Sequence, residues 1–235
     1  MSTRNDQPSY LIENPNQRTP CLLVLDASAS MTEKTSKGTT RIDELNRGLA
    51  ALEQELHADP TARTRVQLAV VCVGGPAGND QADVMLDWTD ASAFRAFELT
   101  ADANTPLAKG LMVALRLIEE QKQAYRSHGI NYTRPWVMVI TDGAPTDSDA
   151  DWQAAALACR AAEGARKCVI YPVGVEGVNA AKLQEISTTQ VLLLDQVKFV
   201  ELFRWLSASL STTSRSAQGT TVQLPSTDAW SSVKL

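Results

Sequence analysis

Uncharged runs and apolar steps of three and four residues alternate along this chain from about residue 21 to residue 210. Cys21–Leu25 is apolar throughout and carries no charge, the pattern of a strand buried on both faces of a parallel sheet. Ile42, Leu45, Leu49, Leu52 and Leu56 then recur at helical spacing and predict a helix with one face on a sheet, ending at Pro60. Val66–Val73 reads as a second strand, followed by a turn at Gly74, Gly75, Pro76 and Gly78 and a short antiparallel strand over Ala82–Leu86. Phe94 and Phe97 mark a brief helical piece. Thr105 suits an N-cap and Pro106 a first helical turn, opening a helix to about Ser127 that buries Leu107, Leu111, Ala114, Leu115 and Ile118. Trp136–Thr141 is another uncharged strand. Thr146, Asp147 and Ser148 can cap an alanine-rich helix over roughly residues 149–165. A strand at Lys167–Gly174, a short helix at Ala180–Ile186 and a last strand at Val191–Leu194 follow. Phe199, Leu202, Phe203, Leu206 and Leu210 form the apolar face of a final helix.

Strands alternating with helices predict an α/β fold: a doubly wound, mostly parallel central sheet of about six strands with helices on both faces. One domain over residues 20–212 accounts for the pattern. Residues 1–19 are polar, contain Pro8 and Pro15, and read as a flexible lead-in; residues 213–235 read as a polar tail. Trp230 stands out in that tail, and an aromatic in a polar segment either folds back on its domain or meets a partner.

Composition narrows the function. The 235 residues are 44% hydrophobic and 21% charged, as in an ordinary globular domain. A net charge of −5 gives a nucleic-acid partner no electrostatic support. No apolar stretch approaches the roughly 20 residues of a membrane span. The first 20 residues lack the apolar core of a secretory signal, so a cytoplasmic location is expected. Cys21, Cys72, Cys159 and Cys168 are scattered without a C-x-x-C pair and read as buried small hydrophobes. His57 and His128 fall at helix ends and read as surface residues.

The candidate chemistry begins where the first strand ends. Asp26, Ser28 and Ser30 place three oxygen-bearing side chains at alternate positions, at the edge of the sheet where α/β proteins hold ligands. Hard oxygen donors suit Mg²⁺ or Ca²⁺ rather than zinc; the competing reading is a polar strand-to-helix turn. Thr105 at a helix start and Asp142 after a strand supply the same chemistry. If the strands ending at Leu25 and Thr141 are neighbours, two carboxylates and three hydroxyls meet at one edge. Two function classes follow, a binding module and a metal-assisted hydrolase or phosphatase. Hydrolysis requires a nucleophile or base near the metal. No histidine falls in these segments and no G-x-S-x-G elbow is present, so a non-enzymatic binding module is expected. A dinucleotide site is unsupported, because no G-x-G-x-x-G follows the first strand.

Asp26-Ala-Ser-Ala-Ser30, Thr105-Pro106 and Thr141-Asp142-Gly143 resemble the three motifs of von Willebrand factor A (VWA) domains, over roughly residues 20–210. More narrowly, Arg134–Asp147, Tyr171–Gly177, Phe203–Ser211 and Val222–Pro225 resemble the bacterial TerY/YegL-type A domains associated with tellurium resistance. The resemblance implies a metal-ion-dependent adhesion site (MIDAS) for Mg²⁺, with Mn²⁺ or Ca²⁺ as alternatives. Ser28 and Ser30 would ligate directly, Asp26 and Asp142 would act through water, and Thr105 would join or leave as the site changes state. The open position would take a Glu or Asp of a partner protein. Family association points to Ser/Thr kinases, PP2C-type phosphatases or tellurium-resistance components as partners, and so to a signalling or stress-response scaffold. Two positions depart from the family pattern. Ala29 replaces a frequent glycine and would be strained if the loop needs positive φ there. Ala103-Asn104 replaces Gly-Gly; Asn is among the better non-glycine residues at positive φ, so altered loop geometry rather than loss of the site is expected. Asp102, Asp147, Asp149 and Asp151 read as solvated loop residues.

Overall fold

A computed structural model describes residues 14, 16–78, 80–216 and 220–232. Most of the lead-in and the last three residues of the tail lie outside them. The strands are β1 (Thr19–Ala27), β2 (Val66–Gly74), β3 (Ala82–Asp90), β4 (Trp136–Thr141), β5 (Val169–Gly174), β6 (Leu192–Leu194) and β7 (Ser231–Ser232). They form one sheet in the order β3-β2-β1-β4-β5-β6-β7, parallel except for β3 and β7 at the edges. The helices are α1 (Arg41–Ala58), α2 (Pro60–Arg65), α3 (Leu107–Ser127), α4 (Asp149–Gly164), α5 (Ala180–Gln184) and α6 (Phe199–Arg215). This is the doubly wound sheet expected, with the two-residue β7 added at one edge.

Alternation along β1 divides the core. Cys21, Leu23 and Leu25 join α1 and α6 on one face, where Leu45, Leu49, Leu202 and Leu206 are fully buried. Leu22 and Val24 join α3 and α4 on the other, against Leu111, Ala114 and Ala155. Each fully buried Leu or Val contributes about 1.5–3 kcal/mol, so this strand is fixed from both sides. Its register against β4 runs from Cys21 opposite Trp136 to Leu25 opposite Ile140. Asp26 and Thr141 therefore emerge side by side.

Several elements differ from the sequence pattern for identifiable reasons. Pro60 ends α1 but also opens α2, because Asp59 accepts hydrogen bonds from the amides of Thr61 (2.7 Å) and Ala62 (3.0 Å). Residues 94–106 contain no helix, despite Phe94 and Phe97. Side chains of α1 take the backbone groups that a helix would use. Asn46 bonds both the amide and the carbonyl of Leu99 at 2.9 Å, and Glu53 accepts from Ala96 N–H at 2.8 Å. Helix α3 starts at Leu107 with Pro106, not Thr105, at the N-cap. Helix α6 extends to Arg215. Trp230 folds back and is 1% exposed, its ring 5.3 Å from that of Trp205. Its carbonyl accepts from Asp195 N–H at 2.9 Å as β7 pairs with β6.

All four cysteines are buried and free. Burial pushes the thiols of Cys72 and Cys159 up to about 12 and that of Cys168 to about 11, so each behaves as a core hydrophobe.

Candidate metal centre

Five side chains singled out by the sequence meet at the carboxyl edge of the sheet. Asp26, at the end of β1, is fully buried and both its oxygens are taken. Oδ1 accepts from Ser28 N–H at 2.9 Å, and Oδ2 accepts from the Thr141 hydroxyl on neighbouring β4. Burial pushes the Asp26 carboxyl up to about 6; the bonds from Thr141 and Ser28 work against that, and Asp142 adds to it. Past Asp26 the chain turns through the 3-10 segment Ala29–Thr32. The Ser28 and Ser30 hydroxyls lie 3.1 Å apart, and Ser30 donates to Asp142 Oδ1 at 2.6 Å.

Thr105 comes in from the segment before α3. Its amide donates to the Thr146 hydroxyl at 3.1 Å and its carbonyl accepts from Thr146 N–H at 2.9 Å, tying it to the loop after Asp142. A Cβ placed on Gly143 would lie 3.7 Å from both Ser30 Oγ and Thr105 Oγ1, so the two hydroxyls flank the same glycine. Ser28, Thr105 and Asp142 are each at most 5% exposed. Among the described residues no group of three or more His, Cys, Asp or Glu side chains gathers as metal ligands. The donor set is two carboxylates plus hydroxyls, which fits a hard divalent cation and offers nothing soft.

Three contributors were given no role at this site by the sequence. Thr141 holds Asp26. Asp147, read as a solvated loop residue, accepts from Ala108 N–H at 2.9 Å and so caps the start of α3 from another loop. Arg41, the first residue of α1, donates to Asp142 Oδ2 at 2.8 Å and pairs with Glu33 at 2.9 Å. An arginine in the first turn opposes the helix dipole, and that anomaly is a sequence signal that could have marked it.

The strained position is also elsewhere. Ala29 has no positive φ; its amide donates to Ala103 O at 3.0 Å, and it is Ala103 that stands at φ 67°. Flanking Asp102 is held by Ala27 O at 2.9 Å and by Gly75 N–H at 2.6 Å, which fixes the turn around Ala103. Gly74 and Gly75 allow this approach: a Cβ on Gly74 would meet Ser28 backbone at 2.7 Å, and one on Gly75 would meet Thr100 O at 2.3 Å.

A model of the von Willebrand factor type A domain family matches residues 22–204, all the strands and helices that build this edge except the outermost pieces. The chain belongs to that family. VWA domains are protein-interaction modules. The comparison with curated proteins gives no match. Among solved structures, the fold is similar to a pilus adhesin from Lactobacillus rhamnosus GG (TM-score 0.66, 12% identity), over 85% of this chain and 32% of that one. It is similar to the vWF domain of a type V pili tip protein from Porphyromonas gingivalis (TM-score 0.62, 10% identity), over 87% of this chain and 99% of that one. Proximal thread matrix protein 1 from the mussel byssus is a third (TM-score 0.56, 15% identity), with 86% of this chain and 47% of that one aligned. The chain thus spans about half of the mussel protein and a third of the adhesin, and the likeness is one of fold. Among the described residues of this VWA domain, no helix is long and apolar enough to cross a membrane.

Proposed function

We propose that this VWA domain is a non-enzymatic module that binds a protein partner through a divalent cation, Mg²⁺ in the first instance and Mn²⁺ or Ca²⁺ as alternatives. The observation that carries the reading is the convergence of Ser28, Ser30, Thr105, Asp26 and Asp142 at one edge, with Ser30 bonded to Asp142 across 112 positions of sequence. When bound, the cation supplies a Lewis-acidic position for a carboxylate. The chain's own residues set that position up. Asp26 has both oxygens engaged and fixes the Ser28 turn, while Ser28, Ser30 and Thr105 offer neutral oxygens. Arg41 already offsets part of the Asp142 charge. A cation held largely by neutral donors keeps its affinity for an anion, so an acidic partner residue is the fitting ligand. The N-termini of α1, α3 and α4 open at this same edge and favour an incoming negative charge.

A hydrolytic role has no histidine base at the site. His57 and His128 lie at the far ends of α1 and α3, helices whose starts are at the site. At 1.5 Å per residue they are roughly 25 and 30 Å away. The narrower resemblance to TerY/YegL-type domains supports a place in a bacterial tellurium-resistance or kinase–phosphatase signalling system. A Ser/Thr kinase, a PP2C-type phosphatase or a tellurium-resistance protein is then the partner. Four free thiols support the cytoplasm as its location.

The test pairs metal titration with partner capture. Mg²⁺ should raise the melting temperature of the wild type but not of Ser30→Ala or Thr105→Ala, and EDTA should release the bound protein. Asp26→Ala should also lose the partner; the two hydroxyl variants cover the case in which it fails to fold. The same partners retained in Mg²⁺, in EDTA and by all variants would overturn the proposal.

A further inference from the structure

A second site lies at the opposite end of the sheet. Arg134 precedes β4, Arg166 and Lys167 precede β5, and Lys122 and Arg126 belong to the last turns of α3. These five basic side chains line one cleft of about 730 Å³, and no acidic residue lines it among the described residues. That gathering occurs in a chain whose net charge is −5.

The bland explanation is that the cations serve the carboxyl ends of α3 and α4, which end nearby. It accounts for Arg134, whose Nη2 donates to Glu163 O at 2.9 Å. It leaves a surplus. Lys122 is paired with Glu119 at 2.8 Å, but Arg126, Arg134, Arg166 and Lys167 have no carboxylate at ion-pair distance among the described residues. Among the described residues the Arg126 guanidinium donates to the Tyr132 hydroxyl, at 3.2 Å. The cluster is felt by a neighbouring carboxylate, that of Glu119. Burial opposes ionisation of Glu119, yet its carboxyl is held below the usual range by Lys122, Lys167 and Arg126.

Two buried hydroxyls supply an independent sign of a ligand. Thr133 lines the cleft, is 8% exposed, and its Oγ1 has no hydrogen-bond partner among the described residues; Thr213 Oγ1, also in the lining, has none either. Buried polar atoms are nearly always satisfied, so donors left open beside uncompensated cations point to an anion with several acceptor oxygens. The neighbouring Arg18 is fully buried, with Nε and Nη2 unpartnered among the described residues. Thr133 N–H donates to Arg18 O at 2.8 Å, so the two residues are tied through their backbones.

We propose that this cleft binds a phosphate-bearing small molecule, with Arg126, Arg134, Arg166 and Lys167 neutralising the phosphate and Thr133 donating its hydroxyl. The volume is that of a small-molecule site, and Tyr132, Pro135 and Trp136 give it an apolar wall beside the cations, room that a bare phosphate ion would not fill. The site shares no residue with the Asp26–Asp142 edge.

Calorimetric titration of the full chain in EDTA and low salt tests this, with ATP, pyrophosphate and adenosine as probes. ATP and pyrophosphate should bind saturably and adenosine should not. Arg166 and Lys167 are exposed, so Arg166→Gln/Lys167→Gln keeps the fold and should weaken both anions about tenfold. Arg63→Gln, an exposed charge outside the cleft, should change nothing, and Ser30→Ala should leave this binding intact even if it abolishes the metal response. Absence of saturable binding, or equal loss in Arg63→Gln and the cleft variant, overturns the proposal. So does binding of a phosphopeptide or anionic vesicles when ATP and pyrophosphate fail, since the ligand is then a macromolecular surface.

Discussion

Replacing Arg41 by glutamine isolates the electrostatics of the candidate metal centre. The Asp142 side chain is fully buried, Arg41 is 11% exposed, and their nearest atoms are 2.8 Å apart. With charge centres about 4 Å apart and an effective dielectric near 20, the pair is worth about 4 kcal/mol of Coulomb energy. Removing one partner of a buried pair costs about 3–5 kcal/mol, because the other charge is left uncompensated. Arg41 also serves the 62% exposed Glu33, a contact of little weight. Asp142 keeps its bond from Ser30, which places the expected loss at the lower end, about 3 kcal/mol. Urea unfolding followed by tryptophan fluorescence in EDTA measures it. A double-mutant cycle with Asp142→Asn should give a coupling of about 2–3 kcal/mol, since glutamine and asparagine together leave no orphaned charge. Millimolar Mg²⁺ should then stabilise Arg41→Gln more than the wild type, because the bound cation replaces the missing positive charge. A coupling below about 0.5 kcal/mol, or an equal Mg²⁺ response in both proteins, would refute this account of Asp142.

Ala103→Gly should stabilise the domain by about 1 kcal/mol, since only alanine is strained at φ 67°; a lower urea midpoint would contradict the strain. Trp230→Ala should cost about 3 kcal/mol, the low end for a buried tryptophan because its Nε1 has no hydrogen-bond partner among the described residues. Thermal melts within error of the wild type would show that residues 225–232 do not belong to the cooperative unit. At Asp59, burial pushes the carboxyl upward, but bonds from Ser211 and the amides of Ala62 and Thr61, with the charge of Arg215, outweigh it and leave it lowered. A lowered folded pKa means that its stabilisation is present above the unfolded value near 4 and is lost as the pH falls through the folded value. Asn is an equally good N-cap, so Asp59→Asn should be less stable than the wild type at neutral pH and converge with it in acid, as urea midpoints at the two pH values would record.

The periodicity of the chain was enough to determine the layered α/β fold, because a parallel strand buried on both faces has no other way to hide Cys21–Leu25 than helices on either side. Asp26, Ser28, Ser30, Thr105 and Asp142 were legible because their chemistry sits at strand ends and a helix start, which local pattern marks. What local pattern could not carry was decided across the fold. Arg41 meets Asp142 only because α1 begins where β4 ends, and Ala103 rather than Ala29 bears the positive φ because Asp102 is held between Ala27 and Gly75. Residues 94–106 form no helix because Asn46 and Glu53, about 50 positions earlier in the chain, take backbone groups of Leu99 and Ala96. Trp230 owes its burial to Trp205 and the edge of β6, both distant in sequence. Each of these outcomes depends on partners distant in sequence, and such pairings are fixed by packing rather than by composition or spacing.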